Sequence, residues 1–129
     1  MARAYTLATA ALALGVTNKW LDNTLSHFKV PGVHQKRQGV ARRLTVDSLL
    51  TLSVAITLAS HLDTSIGRAI EIAHQLLASD GRQLLGPLEL RIDLQAAHAD
   101  LLERLERSVE IAPTPRRGRP PKNTTGRLD

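Results

Sequence analysis

Residues 6–28 read TLATAALALGVTNKWLDNTLSHF, two short segments of helical periodicity separated by one glycine. In the first, Leu7, Ala8, Ala11, Leu12 and Leu14 recur at helix-face spacing, and Thr6 stands where an N-cap hydroxyl accepts from the free N–H groups of the first turn. Gly15 breaks that segment. Thr17 is a second N-cap and opens a helix from Asn18 to Phe28. Trp20, Leu21, Leu25 and Phe28 make one apolar stripe on it, leaving Asn18, Lys19, Asp22, Asn23 and Ser26 to face outward.

Short helix, glycine turn and second helix have the spacing of a helix-turn-helix, although an ordinary αα-hairpin in a bundle has the same periodicity. From Lys29 to Leu44 the character changes. Pro31, Gly32 and Gly39 are breakers, Val30, Val33 and Val40 suit strands, and His34-Gln35-Lys36-Arg37-Gln38 forms a polar tip, so a hairpin or loose wing is expected. Thr45, with Asp47 in the first turn, caps a long helix to about His61, apolar over enough of its surface to pack on two sides. Asp63 or Thr64 then starts a helix to about Ala78 with Ile66, Ala69, Ile70, Ala73, Leu76 and Leu77 inward, and Asp80-Gly81 breaks it. Leu84 to Ile92, interrupted by Gly86-Pro87, alternates as a short strand or hairpin does. Asp93 caps a last helix, Leu94 to Ile111, stopped by Pro113, with Asp100/Arg104 and Glu103/Arg107 as i,i+4 pairs. Its stripe of Leu94, Ala97, Leu101, Leu105 and Val109, widened by Leu102, either docks a partner helix or packs back onto its own domain.

At 129 residues and 43% apolar content the chain can bury one modest core, which the Pro-rich end cannot join. The net charge of +5 conceals a segregation along the chain. Up to Arg43 seven basic residues face Asp22 alone; from Leu44 to Ala112 five basic residues face ten acidic ones; the tail carries five basic residues against Asp129. Two cationic ends around an acidic middle suit a chain that meets phosphates at both ends and uses its middle for packing or self-association. With no cysteine, disulfides, thiolate metal sites and cysteine nucleophiles are excluded. Arg3 and the apolar run to Val16 have the outline of a signal peptide, but Thr6 reads better as a cap and Thr9 interrupts the run. No stretch approaches the roughly 20 apolar residues of a membrane span. The five histidines show no ligand-pair spacing, and neither a phosphate loop nor a Ser/His/Asp grouping stands out. No metal, cofactor or catalysis is expected.

The tail contains Arg116-Arg117-Gly118-Arg119-Pro120-Pro121-Lys122. Its Arg-Gly-Arg-Pro core has no bulky centre, so the backbone can sink into a narrow A·T-rich minor groove with both guanidiniums following, while the prolines keep the chain extended. This core resembles the AT-hook of the high-mobility-group A proteins, which implies Arg116, Arg117, Gly118, Arg119, Pro120 and Lys122 as minor-groove contacts. A solvated basic tail or an SH3-type ligand is the alternative.

Tyr5-Thr6-Leu7, Gly15-Val16-Thr17, Leu21, Arg42-Arg43-Leu44-Thr45 and Ser65-Ile66 follow one another in an order that resembles the DNA-binding domain of the MerR-type winged helix-turn-helix regulators, over Tyr5 through Leu77. The resemblance implies that the second helix enters the major groove, the wing reaches flanking backbone and a C-terminal helix forms an antiparallel dimer. Thr17, Asn18, Lys19, Asp22, Asn23 and Ser26 then become major-groove candidates, and Lys36, Arg37, Arg42 and Arg43 phosphate anchors. The aromatic pair usual in that second helix is replaced by Asp22-Asn23-Thr24, so base contacts do not transfer. Past Leu77 the chain before the tail is too short for a folded effector pocket, and regulation without a small-molecule effector is expected.

The expected molecule is therefore mostly α: a winged helix-turn-helix unit over 1–80 with a short β-hairpin wing, a hairpin and C-terminal helix over 81–112, and a disordered AT-hook tail over 113–129. The expected function is a bacterial, cytoplasmic, nucleoid-associated transcriptional regulator that binds A·T-rich double-stranded DNA as a homodimer. An architectural nucleoid protein is the first alternative, and a protein-interaction adaptor using the 94–111 helix and the tail the second.

Overall fold

The computed structural model describes residues 4–34 and 42–111. The described chain is mostly helical, with small antiparallel strand pairings: β1 (Ala4–Tyr5), α1 (Leu7–Leu14), α2 (Asn18–His27), β2 (Val33–His34), β3 (Arg43–Thr45), α3 (Val46–Leu62), α4 (Ile66–Ala78), β4 (Arg82–Leu85), β5 (Leu88–Arg91) and α5 (Leu94–Ile111). Each helix starts on a short polar side chain that accepts from the N–H three residues on. Thr6 accepts from Thr9, Thr17 from Trp20, Thr45 from Ser48, Ser65 from Arg68 and Asp93 from Ala96, at 3.0 to 3.3 Å. Such a cap contributes about 1 kcal/mol and sets the helix start. The start of α4 therefore differs from the expected Asp63 or Thr64. Asp63 takes a left-handed conformation (φ 52°) as the C-cap of α3, and the cap of α4 falls to Ser65. Asp tolerates that conformation better than a β-branched residue such as Thr64.

The expected hairpin is part of a three-stranded sheet in the order β1-β3-β2. Ala4 and Tyr5 pair with Thr45 and Leu44 on one edge of β3, while Val33 and His34 pair with Leu44 and Arg43 on the other. The residues just ahead of α1 are thereby fastened to the root of the hairpin, and Tyr5 is buried there.

The core gathers around α3, which packs on α4, α5 and α1. Leu21, Leu44, Leu49, Leu52, Leu76, Leu101 and Leu105 are fully buried; burial of one such leucine contributes about 1.5–3 kcal/mol. Of the two expectations for the last helix, packing on its own chain is what is found, because α5 lies along α1 and α3. Its inward stripe ends on Ser108, 6% exposed, instead of Val109, 42% exposed. Ser108 lies seven residues from Leu101, two helical turns on, whereas Val109 is rotated a further 100°. The Ser108 hydroxyl is satisfied by donating to the Arg104 carbonyl at 2.7 Å. Among the described residues no helix is long and apolar enough to cross a membrane.

Strands β4 and β5 pair around Gly86-Pro87 as a hairpin, in register Arg82↔Arg91 to Leu85↔Leu88. Glu89 bridges Arg82 and Arg91 on its solvent side. Hydrogen bonds from Arg82 first and Arg91 second hold its carboxyl below the usual range. The joint between α4 and this hairpin is Gly81. At φ +83° its N–H donates to Leu76 at 2.7 Å, its carbonyl accepts from Ile92 at 2.9 Å, and an added Cβ would lie 2.8 Å from the Ile92 oxygen. Gly81→Ala combines left-handed strain with a backbone clash and is expected to destabilise by about 2 kcal/mol. Gly15 is also left-handed (φ +74°), but nothing lies within 4 Å of an added Cβ. Gly15→Ala is expected to lose only about 1 kcal/mol, and urea unfolding of the pair isolates the clash.

Candidate nucleic-acid interface

Helix α2 is held from three sides. A three-residue turn, Gly15-Val16-Thr17, joins it to α1; Gly15 closes α1 in the left-handed conformation, and the Val16 N–H donates back to the Ala11 carbonyl at 3.0 Å. On its inner face Leu21 is fully buried and Thr24 is 6% exposed. Thr24 carries no apolar signal in the sequence and was not expected inside. At the far end, Phe28, the C-cap, lies against Gly67 of α4, where a Cβ would come within 2.6 Å of the ring. Phe28 is thus a half-exposed buttress between α2 and α4 instead of the last residue of a buried stripe.

With that face anchored, Asn18, Lys19, Asp22, Asn23 and Ser26 are all exposed, as expected from their spacing. Thr17 is exposed too, but its hydroxyl is engaged in capping the Trp20 N–H at 3.0 Å. His27 Nδ1 donates to the Asn23 carbonyl at 2.8 Å, which leaves the Asn23 amide side chain outward.

The four expected hairpin cations separate. Lys36 and Arg37 lie outside the described residues, as do Arg116, Arg117, Gly118, Arg119, Pro120 and Lys122 of the tail. Arg43 is exposed on β3, beside buried Leu44, as strand alternation requires. Arg42 departs from the role of a free phosphate anchor: its guanidinium turns back onto α2. Nη1 pairs with Asp22 Oδ1 and reaches the Asp22 carbonyl at 3.5 Å, while Nη2 donates to Ser26 Oγ at 3.0 Å. Ser26 in turn donates to the Asp22 carbonyl at 2.9 Å, which closes the network. The Arg42 side chain is 19% exposed and that of Asp22 55%. A carboxylate in contact outcompetes solvent for the guanidinium, and the pair ties the hairpin root to the outward face of α2.

Helix α5 supports this interface from behind. Arg104 Nη1 donates to the Ala13 carbonyl at 3.3 Å, satisfying one of the unpaired carbonyls in the last turn of α1, and Arg104 also pairs with Asp100. Away from the interface, α3, α4 and α5 meet Pro31 around an open groove of about 600 Å³, lined by Leu50, Leu77 and Leu94 with Asp47, His74 and His98 at its edges. Among the described residues no three His, Asp or Glu side chains are grouped as a metal site requires. No protein-family model and no curated protein matches this chain.

Proposed function

We propose that the chain is a DNA-binding transcriptional regulator, in which α1, the Gly15 turn and α2 act as a helix-turn-helix and the β2–β3 hairpin acts as its wing. One observation carries the reading: Asn18, Lys19, Asp22 and Asn23 share exposure on a short helix whose other face is locked by Leu21 and Thr24. Rigid presentation of amide and ammonium groups suits adenine and guanine edges in the major groove. Lys19 and Arg43 add exposed positive charge, and the Arg-Gly-Arg-Pro tail adds a tethered minor-groove contact. Activity on the nucleoid, as a pair of chains at a two-fold site, follows from the same reading. Leu101 and Leu105 of the α5 stripe are buried within the chain, whereas Val109 is exposed, so a dimer through the buried part would require exchange of α5 between copies.

Electrophoretic retardation of genomic duplex fragments at low ionic strength tests the proposal; free migration of every fragment would refute it. Arg117→Ala combined with Arg119→Ala is expected to remove the tethered module and weaken binding about 100-fold on A·T-rich flanks. An equal loss on G·C-rich flanks would reduce the tail to a generic cation. Broad genomic occupancy without sharp sites would favour the architectural reading instead.

A further inference from the structure

Asp22 is the sole acidic side chain of α2, and it sits on the face offered to DNA. Phosphates repel such a group, so its presence there calls for a chemical reason. We propose that Asp22, oriented by Arg42, reads a cytosine amino group in the major groove; the inference rests on α2 being the helix that enters that groove. Arg42 arrives from the hairpin root and engages only one of the two carboxylate oxygens, Oδ1, while Ser26 Oγ accepts its second nitrogen at 3.0 Å. Among the described residues nothing bonds Asp22 Oδ2, and the side chain is 55% exposed. The guanidinium therefore offsets the negative charge, fixes the rotamer and leaves Oδ2 without a partner among the described residues.

A carboxylate can only accept. The major-groove edge offers it two kinds of donor, the amino groups of adenine and cytosine. The adenine amino group lies beside the acceptor N7, which repels a carboxylate; the cytosine base carries no acceptor on its own groove edge. Asp22 is thus suited to cytosine, and Arg42 is a positioning residue that acts through it. A pair with only a structural role would stabilise the hairpin root and leave base preference unchanged.

Selection of duplexes from a randomised library by the full chain is the test, with Asp22→Asn and Asp22→Ala as variants and thermal unfolding as the check on folding. The wild-type chain is expected to enrich a motif with an invariant cytosine. Asp22→Asn is expected to shift that one position to adenine, since a side-chain amide pairs with N6 and N7, and Asp22→Ala to flatten it. Replacing the cytosine in the selected duplex should weaken wild-type binding about tenfold and leave Asp22→Ala binding unaltered. Arg42→Ala should blur the same position, with partial recovery in Arg42→Lys. An enriched motif that is identical for wild type and both Asp22 variants overturns the assignment while leaving DNA binding intact. If the wild-type chain enriches no duplex, the assignment and the reading of α2 fall together.

Discussion

Leu101→Ala is expected to lower the unfolding free energy by about 3 kcal/mol, within the range for deletion of a buried leucine where surrounding structure collapses only partly. Leu101 is fully buried where α5 lies against α1 and α3. The consequence extends to the interface, because α5 also holds the end of α1 through Arg104 and Ala13, and α1 carries the turn into α2. Val109→Ala, on the same helix but 42% exposed, is expected to stay within about 0.5 kcal/mol. Urea unfolding of both variants measures the contrast. Repeating it across protein concentration separates packing within the chain from exchange of α5 between copies: a midpoint independent of concentration fits the former. Equal losses in the two variants would mean that α5 is not seated on the core as described.

Local chemistry made the helices legible. Thr6, Thr17, Thr45 and Asp93 were each readable as caps because a short polar residue precedes a run of helical periodicity, and each accepts the expected N–H. Where three capping residues stand together, as in Asp63-Thr64-Ser65, local preference cannot choose, and the left-handed end of α3 chose Ser65. Two-residue β1 was illegible, since alternation needs more positions than Ala4 and Tyr5 provide. Ile72 is buried beside the expected α4 face because α4 is covered over a wider arc than one stripe by its packing on α3. The candidate interface divided in the same way. Outward residues of α2 follow from helical spacing, whereas the Asp22–Arg42 pair spans twenty residues and depends on how the hairpin returns. The wing reading placed Arg42 among the phosphate contacts; in the free chain its guanidinium is paired with Asp22.

That reassignment enters the last expectation, the response of DNA affinity to salt. If Lys19 and Arg43, with the basic residues of the hairpin tip and tail, make about five phosphate contacts, log affinity falls with log salt at a slope of about −4.5, or about 500-fold between 50 and 200 mM. Lys19→Ala, which removes an exposed cation, should reduce that slope by about one. Arg42→Ala combined with Asp22→Ala should leave the slope unchanged, because the two charges neutralise each other in the free chain and release no counterion. Fluorescence anisotropy across a salt series measures all three slopes. A slope near zero for the wild-type chain would favour the adaptor reading, in which the basic ends do not meet a polyanion. A slope lowered by the double variant as much as by Lys19→Ala would mean that Arg42 leaves Asp22 for a phosphate on binding, and the carboxylate would then be unshielded in the groove.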